Sequence, residues 1–229
     1  MFEELFALGD GLDWLRITLA VLSVATSIGY QIIEHQPPSA LRTGLKTAAI
    51  GLFVPLPLLA LGHGPVGPLL LLAAAFLLSS AGDLFLALKG NPRNFMRGLV
   101  AFLVSHLFYI GVMVPLASGA DSLVAKGVSL AVGLGGLALY WSLASRLGAA
   151  RLPVATYFAV ILVMVLSALA IPEGAPLLGL GAALFMFSDS IIALDKFRGP
   201  FPYRGFLVWP TYYIGQTMMA LALLVLLTR

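Results

Sequence analysis

The sequence consists largely of apolar runs, each about twenty residues long, that are separated by short loops rich in glycine and proline. Eight runs can be distinguished, at residues 13–33, 41–61, 67–88, 95–117, 122–145, 152–171, 175–195 and 205–228. About twenty helical residues cross the roughly 30 Å hydrocarbon core of a bilayer. The runs are continuously apolar and do not alternate with period two, so they indicate helices rather than the strands of a barrel. We therefore expect an all-α integral membrane protein with eight transmembrane helices.

The composition supports a membrane protein and excludes several kinds of chemistry. Hydrophobic residues make up 60% of the chain and charged residues only 10%, too few to cover the surface of a soluble domain of this length. The chain contains no cysteine, which excludes disulfides, thiolate nucleophiles and cysteine-ligated metal sites. The basic balance, with a pI near 9.3, is explained by membrane topology, so no nucleic-acid partner is expected.

The distribution of Lys and Arg between alternate loops predicts the orientation. One side holds ten of them: Arg42, Lys46, Lys89, Arg93, Arg97, Arg146, Arg151, Lys196, Arg198 and Arg204. The other side holds three: Arg16, Lys126 and Arg229. Because positively charged loops stay in the cytoplasm, both termini are expected on the non-cytoplasmic side. We expect the inner membrane of a bacterium, or the endoplasmic reticulum in a eukaryote.

An acidic motif occurs twice within the apolar runs. Asp83, on the third run, and Asp189, on the seventh, each lie four residues before an Ala-Leu pair, and a lysine ends each run. A carboxylate at the centre of a membrane helix costs roughly 2.5–3.5 kcal/mol, so an acid in this position indicates a functional site. Two such acids in matching contexts indicate one site with two carboxyl groups.

The two motifs belong to a longer similarity between the halves of the chain. An Arg-Gly pair opens the fourth run at Arg97 and the eighth at Arg204. Nine and twelve residues further on lie His106 and Tyr109 in the fourth run, and Tyr213 and Gln216 in the eighth. This spacing predicts two parallel four-helix repeats, 1–121 and 122–229, within one membrane domain.

Counting along the helices places Asp83, Asp189, His106 and Tyr213 at similar depth in the cytoplasmic half of the membrane. Polar groups at that depth are expected to face the interior of the helix bundle or a water-filled cavity rather than lipid. An interhelical hydrogen bond or a buried ion pair is the alternative explanation for each of them.

Four short stretches carry a resemblance to a known family. They are Gly82-Asp83, Ser105-His106 with Tyr109, Phe187-Ser188-Asp189 with Ala193-Leu194, and Pro210-Thr211-Tyr212-Tyr213 with Gln216. These stretches resemble the YhhN/TMEM86 family of multi-pass membrane proteins, whose members are described as lysoplasmalogenases. The resemblance implies hydrolysis of the vinyl ether bond of lysoplasmalogen to a fatty aldehyde and a glycerophospho-base. The chain departs from the family where Thr47 follows Lys46, since a Lys-Pro pair is expected there.

The implied reaction fits two membrane aspartates. A vinyl ether is opened by acid, because protonation of the alkene carbon gives an oxocarbenium ion that water captures. The enzyme therefore needs one carboxylic acid that stays protonated and a second group that activates water, as in glycosidases. Asp83 and Asp189 are the expected pair, since burial and a neighbouring carboxylate both favour a shared proton. The residues do not decide which of the two is the acid.

Other polar residues are expected to support the pair. Candidates for orienting the acids or the water are Tyr213, His106, Tyr109, Gln216, Tyr212 and Ser188, and candidates for the phosphate of the lysolipid are Lys46, Arg93 and Arg97. The expected partners are a lysophospholipid or lysoplasmalogen substrate and the membrane lipids. No metal and no cofactor are expected, and the oligomeric state stays open.

Three other functions remain open from the sequence. Repeated halves and paired acids also suit a proton-coupled transporter of a small or lipid-like substrate. An intramembrane aspartyl protease also uses two membrane aspartates, but Ser80 stands where its Gly-x-Gly-Asp signature requires glycine. A scaffold or receptor could use buried acids for packing specificity alone.

Overall fold

The computed structural model describes residues 8–88, 90–91, 93–119, 123–172 and 175–229. Over this part of the chain every regular element is a helix. The helices are α1 (Asp13–Ile33), α2 (Ala40–Gly51), α3 (Pro55–Leu58), α4 (Val66–Ala87), α5 (Arg93–Met113), α6 (Leu123–Ala144), α7 (Arg151–Leu169), α8 (Ala175–Phe197) and α9 (Arg204–Thr228). Short 3-10 turns, Val114–Leu116 and Gly148–Ala150, adjoin α5 and α7. Lys89, which ends the first acidic motif, lies outside the described residues.

Seven helices of the described chain are long and apolar enough to cross a membrane. The prediction of an all-helical membrane protein is therefore confirmed. The second predicted span, 41–61, differs from the others because it is interrupted between α2 and α3. Pro55 and Pro57 have no backbone N–H, so the hydrogen-bond ladder of α2 cannot continue through them.

The chain forms two compact units, one comprising Met1–Val112 with Ala220–Arg229 and the other comprising Met113–Met219. In the first unit, α2 packs against both α1 and α4. In the second unit, α7 packs against both α6 and α8. In each of these pairs the helices run antiparallel, as short connections require.

A buried arginine fixes the beginning of α1 in the first unit. Arg16 is 2% exposed, and its guanidinium donates hydrogen bonds to Asp10, to Asp13 and to the carbonyl of Leu59, just after α3. The hydrogen bond from Arg16 holds the pKa of Asp10 well below its usual range. The ring of His63 lies 3.0 Å from Asp10, so this histidine belongs to the same cluster.

Glycine and serine set the register between α4 and α5. A Cβ on Gly98 would meet Leu86 at 2.9 Å, and one on Gly82 would meet Phe102 at 2.6 Å. Three residues further along, Ser79 donates a hydrogen bond of 2.8 Å to Ser105, which itself donates to the carbonyl of Ala75. Each step back along α4 is matched by an equal step forward along α5. This register places Ala101 opposite Asp83.

Two glycines set the corresponding register between α8 and α9 in the second unit. A Cβ on Gly181 would lie 2.8 Å from the carbonyl oxygen of Gly215, and a Cβ on Gly215 would lie 2.7 Å from that of Gly181. Seven residues later on α8 and seven earlier on α9, the hydroxyl of Ser188 donates to the carbonyl of Val208 at 2.9 Å. The same register places Leu207 opposite Asp189.

We expect Gly181→Ala to lower the free energy of unfolding by about 1–3 kcal/mol, because the added methyl group would overlap the backbone of α9. Gly133→Ala, on α6, is the matched control, since a Cβ there has no atom within 4 Å. Alanine should stabilise that helix by up to about 1 kcal/mol. Thermal unfolding in detergent measures both variants. Equal melting temperatures for Gly181→Ala and Gly133→Ala would contradict the close contact between α8 and α9.

Candidate functional site

The carboxylate of Asp83 is buried in the first unit and forms an ion pair with Lys46. The Lys46 Nζ lies 3.0 Å from the Asp83 Oδ1, and the Asp83 side chain is 2% exposed. The pair forms because α2 and α4 run antiparallel and place both residues at one level. One turn away, the Ser80 hydroxyl donates to the carbonyl of Thr47 at 2.9 Å, which joins the same two helices. The Lys46 ammonium on the neighbouring helix thus offsets the free-energy cost of burying the Asp83 carboxylate.

Tyr30 of α1 and Arg42 of α2 lie near this ion pair. The guanidinium of Arg42, one turn before Lys46, lies 5.6 Å from the centre of the Tyr30 ring. Its Nε donates to the carbonyl of Glu34 at 2.9 Å. The phenol of Tyr30 interacts electrostatically with Lys46 and Asp83. The sequence does not identify Tyr30, Arg42 or Glu34 as site residues, although α1 and α2 are adjacent along the chain and Arg42 and Lys46 are one turn apart.

In the second unit, Asp189 accepts a hydrogen bond from a phenol. The hydroxyl of Tyr157, on α7, donates to the Asp189 Oδ2. Tyr157 is 7% exposed, and Asp189 is half-buried. In both units the partner lies on a helix that packs against the aspartate helix, α2 against α4 and α7 against α8. The sequence places Tyr157 deep in the sixth apolar run, which is the signal that could have identified it.

Ser188, beside Asp189, fixes α8 to an irregular part of α9. Pro210 lies inside α9 and cannot donate to the carbonyl one turn earlier. Near this point Ser188 donates to the Val208 carbonyl, and Thr211 donates to the Leu207 carbonyl at 2.6 Å. Hydroxyl groups commonly satisfy backbone carbonyls near prolines in membrane helices. Ser188 therefore positions the Asp189 turn of α8.

The expected aromatic and amide residues of α9 form one cluster in the second unit. The Tyr212 ring packs edge-on against Phe185, with centroids 5.1 Å apart, and the Tyr213 ring stacks on Trp209 at 6.0 Å. Gln216 is fully buried, with its Nε2 at 3.5 Å from the Tyr212 hydroxyl. On the register of α8 and α9, Tyr213 is opposite Ala183, about 9 Å further along the helix axis than Asp189.

The residues expected beside Asp83 on α5 lie at a different level along the helix axis. The register of α4 and α5 places His106 opposite Leu78, about 7.5 Å along the axis from Asp83. His106 and Tyr109 are both fully buried. The Tyr109 ring is 6.0 Å from Phe76, which in turn packs against Phe53. The register thus does not place Asp83 and His106 at the same level, contrary to the expectation from the sequence. Asp83 lies one turn from the end of α4, whereas His106 lies more than three turns inside α5.

Arg93 and Arg97, two of the three candidates for the phosphate, are exposed at the start of α5. The Arg97 Nη1 donates to Asn94 at 3.2 Å, and the Asn94 amide donates to the carbonyl of Leu88 at 2.9 Å. Asn94 thereby caps the end of α4. The third candidate, Lys46, is the cation that pairs with Asp83, so its head-group role stays a prediction.

Comparison with known proteins identifies the family. The YhhN family model matches residues 41–223, which include Lys46, both aspartates and their helices. The chain belongs to the YhhN family. This confirms the resemblance seen in the short polar stretches. No solved structure gives a significant match.

Curated relatives of this YhhN protein carry enzyme names. The protein named lysoplasmalogenase TMEM86A of Bos taurus is 34% identical over 155 residues, covering 63% of this chain and 61% of that protein. Lysoplasmalogenase TMEM86B of Rattus norvegicus is 33% identical over 155 residues, covering 67% and 61%. Lysoplasmalogenase of Mycobacterium bovis is 36% identical over 132 residues, covering 55% and 49%. The chain thus spans about three fifths of the mammalian relatives and about half of the mycobacterial one.

Proposed function

We propose that this protein is a lysoplasmalogenase-type ether hydrolase, which cleaves the vinyl ether bond of lysoplasmalogen or a related lysolipid. The products are a fatty aldehyde and a glycerophospho-base. The observation that carries the proposal is the kinship with proteins named lysoplasmalogenase across mammals and mycobacteria. The carboxyl groups of Asp83 and Asp189, each held on an apolar helix, supply chemistry that suits this reaction.

The reaction needs one proton donor and one proton acceptor. The donor protonates the alkene carbon next to the ether carbon, which gives an oxocarbenium ion. The acceptor takes a proton from water as the water oxygen bonds to that cation, which gives a hemiacetal. The hemiacetal then loses its hydroxyl proton, the carbon–oxygen bond to the glycerol breaks, and the leaving oxygen is protonated. Two carboxyl groups can perform both halves, as they do in glycosidases.

We infer that the fold is a duplication with eight membrane crossings. In both units the aspartate lies opposite the residue 18 positions later, Ala101 for Asp83 and Leu207 for Asp189, as the contacts between the paired helices indicate. Equal register in two helix pairs supports the repeat. On this alignment His106 corresponds to Tyr212, one residue before the Tyr213 that the arginine spacing indicates. α2 and α3 together would form the second crossing, and both termini would lie outside the cytoplasm.

The lysolipid would lie with its chain among the apolar helices and its phosphate near cytoplasmic cations. Exposed large apolar side chains such as Val21, Leu130 and Leu180 suit contact with lipid. Arg93 and Arg97 are exposed at the end of the membrane segment where the phosphate is expected. A bacterial inner membrane, or the endoplasmic reticulum in a eukaryote, would provide this setting.

Mass spectrometry of the products tests the proposal. We expect purified protein to convert lysoplasmalogen to a fatty aldehyde and a glycerophospho-base, and to leave an ester-linked lysophospholipid of the same chain length intact. Release of a fatty acid from the ester would instead indicate a lysophospholipase. Uptake of intact lysolipid into proteoliposomes, with no aldehyde formed, would indicate a transporter and would overturn the proposal.

A further inference from the structure

A cavity with both basic and apolar walls lies in the second unit, where α8 ends and the chain turns toward α9. Its volume is about 440 Å³, and it is lined by Leu194, Arg198, Gly199, Pro200 and Phe201. We propose that this cavity binds the phosphodiester group of an anionic membrane phospholipid. Arg146 and Arg198 supply the positive charge, and the apolar walls contact the glycerol and the first chain carbons. This inference goes beyond the proposed ether hydrolysis, because it involves none of the residues that the reaction uses.

Two arginines give the cavity its positive charge. Arg198 lines the cavity and is exposed, and the Arg146 Nη1 donates to the Arg198 carbonyl at 3.4 Å, which places the second guanidinium beside a lining residue. In the part of the chain that the structure describes, neither arginine forms an ion pair. A guanidinium with N–H donors to spare matches a phosphate group, because its planar fork can donate to two phosphate oxygens at once.

The negative groups beside the cavity already have partners. The Asp195 carboxylate pairs with Arg204 at 3.0 Å and accepts the backbone N–H of Phe201 at 3.0 Å. The carbonyl groups at the end of α8 would also repel an anion, but the Leu194 carbonyl accepts the N–H of Arg198 at 2.8 Å. An ammonium-bearing head group would have to compete with Arg204 for the Asp195 carboxylate, whereas an anionic head group meets unpaired guanidinium groups. The cavity therefore favours an anionic lipid over a zwitterionic one.

The apolar walls and the level of the cavity suit a lipid rather than a free phosphate ion. Leu194 packs against a buried cluster that includes Leu143 and Leu147, so this wall is fixed by the core of the unit. Phe201 supplies a second, half-buried apolar side chain. The membrane-spanning segment of α8 ends at Phe197, so the cavity lies where phospholipid head groups meet the hydrocarbon. Basic pockets between membrane helices at this level bind anionic head groups.

The cavity is separate from the surroundings of the Asp189 carboxyl group. Leu194 lies five residues after Asp189 on α8, which is about 7.5 Å along the helix axis and about 140° around it. The other lining residues lie further along the chain, past the end of α8. The cavity therefore suits a membrane lipid that binds to the second unit, and not the reacting lysolipid.

Titration with dioctanoyl phosphatidylglycerol in a non-ionic detergent, followed by native mass spectrometry, tests the site. We expect Arg198→Gln to weaken binding about five- to tenfold, and the double variant with Arg146→Gln to weaken it further, because each guanidinium attracts the phosphate. Arg151→Gln is the matched control, since Arg151 is exposed at the start of α7 and does not line the cavity. Its affinity should stay near that of the wild type. Equal losses in Arg151→Gln and Arg198→Gln would indicate attraction to the basic surface as a whole and would overturn the site.

Two competitors distinguish an anionic lipid from the other sources of phosphate. Inorganic phosphate at the same concentration should not displace the lipid, because it lacks the carbons that contact Leu194 and Phe201. Dioctanoyl phosphatidylcholine should bind more weakly, because its ammonium is repelled by the arginines. Phe201→Ser should weaken the lipid without altering the cations. Displacement by inorganic phosphate, or equal affinity for phosphatidylcholine, would overturn the assignment to an anionic lipid.

Arg198→Lys separates the charge of Arg198 from any effect on folding. It keeps the positive charge and should retain most of the affinity, whereas Arg198→Gln should lose affinity at an unchanged melting temperature, because the side chain is exposed. A loss in Arg198→Lys as large as that in Arg198→Gln would exclude attraction by charge. None of these titrations contains a vinyl ether, so their outcome is independent of the product analysis that tests the proposed function.

Discussion

Asparagine in place of Asp83 or Asp189 should slow aldehyde release from lysoplasmalogen by about 10²–10⁴-fold, because an amide can neither donate an acidic proton to carbon nor take one from water. The amide nearly matches the carboxyl group in size, so Asp189→Asn should lower kcat without loss of stability. Asp83→Asn also removes the partner of Lys46, so it should lower the melting temperature as well as kcat. The measurement is the initial rate of aldehyde formation by purified variants that elute as single species from size-exclusion chromatography. Asp195→Asn, at the partly exposed ion pair with Arg204, should keep nearly the wild-type rate.

The double variant shows whether the two acids act in one reaction. Groups that act as a unit are strongly non-additive, so Asp83→Asn with Asp189→Asn should be about as slow as the slower single variant. If the two losses multiply instead, the acids contribute independently, and the two-acid mechanism is wrong. Near-wild-type activity in either single variant would also contradict it. A transporter would respond differently, because the variants would alter uptake of intact lysolipid without any aldehyde signal.

The helical membrane fold could be predicted from the sequence because it depends on properties that are local along the chain. Runs of about twenty apolar residues and their loop punctuation are sufficient to identify the seven helices of the described chain that are long and apolar enough to cross a membrane. Hydropathy does not reveal the interruption after α2, since Pro55 and Pro57 lie within an apolar run whose mean hydropathy stays high. Hydropathy indicates which segments prefer lipid, whereas the break between α2 and α3 depends on the backbone N–H groups that Pro55 and Pro57 lack.

The candidate acids could be predicted, but their partners could not. Asp83 and Asp189 are conspicuous because charge within an apolar run is costly. The sequence predicts Lys46 at the head group and does not identify Tyr157 as a site residue, because pairing depends on helix register. That register is set by close contacts such as Gly51 with Ser80 and Gly179 with Leu169, and one sequence does not reveal which small residues face a neighbouring helix.

Lys46→Met should be the most destabilising single change around Asp83, because it leaves the buried carboxylate without its cation. Removing one partner of a buried ion pair costs about 3–5 kcal/mol, which corresponds to a fall of about 6–20 °C in melting temperature for a chain of this size. Lys46→Arg keeps the charge and should lose much less. Thermal unfolding of detergent-solubilised protein measures all variants on one scale.

A double-mutant cycle separates the charge from the packing of the lysine chain. In Lys46→Met with Asp83→Asn no carboxylate remains to be compensated, so most of the lost stability should return. The double variant should therefore be more stable than Lys46→Met alone, whereas two independent destabilising changes would make it less stable. Equal melting temperatures for Lys46→Met and the double variant would mean that Lys46 stabilises the helix contact through its methylene chain. In that case the buried carboxyl group of Asp83 would not depend on the Lys46 ammonium for its stability.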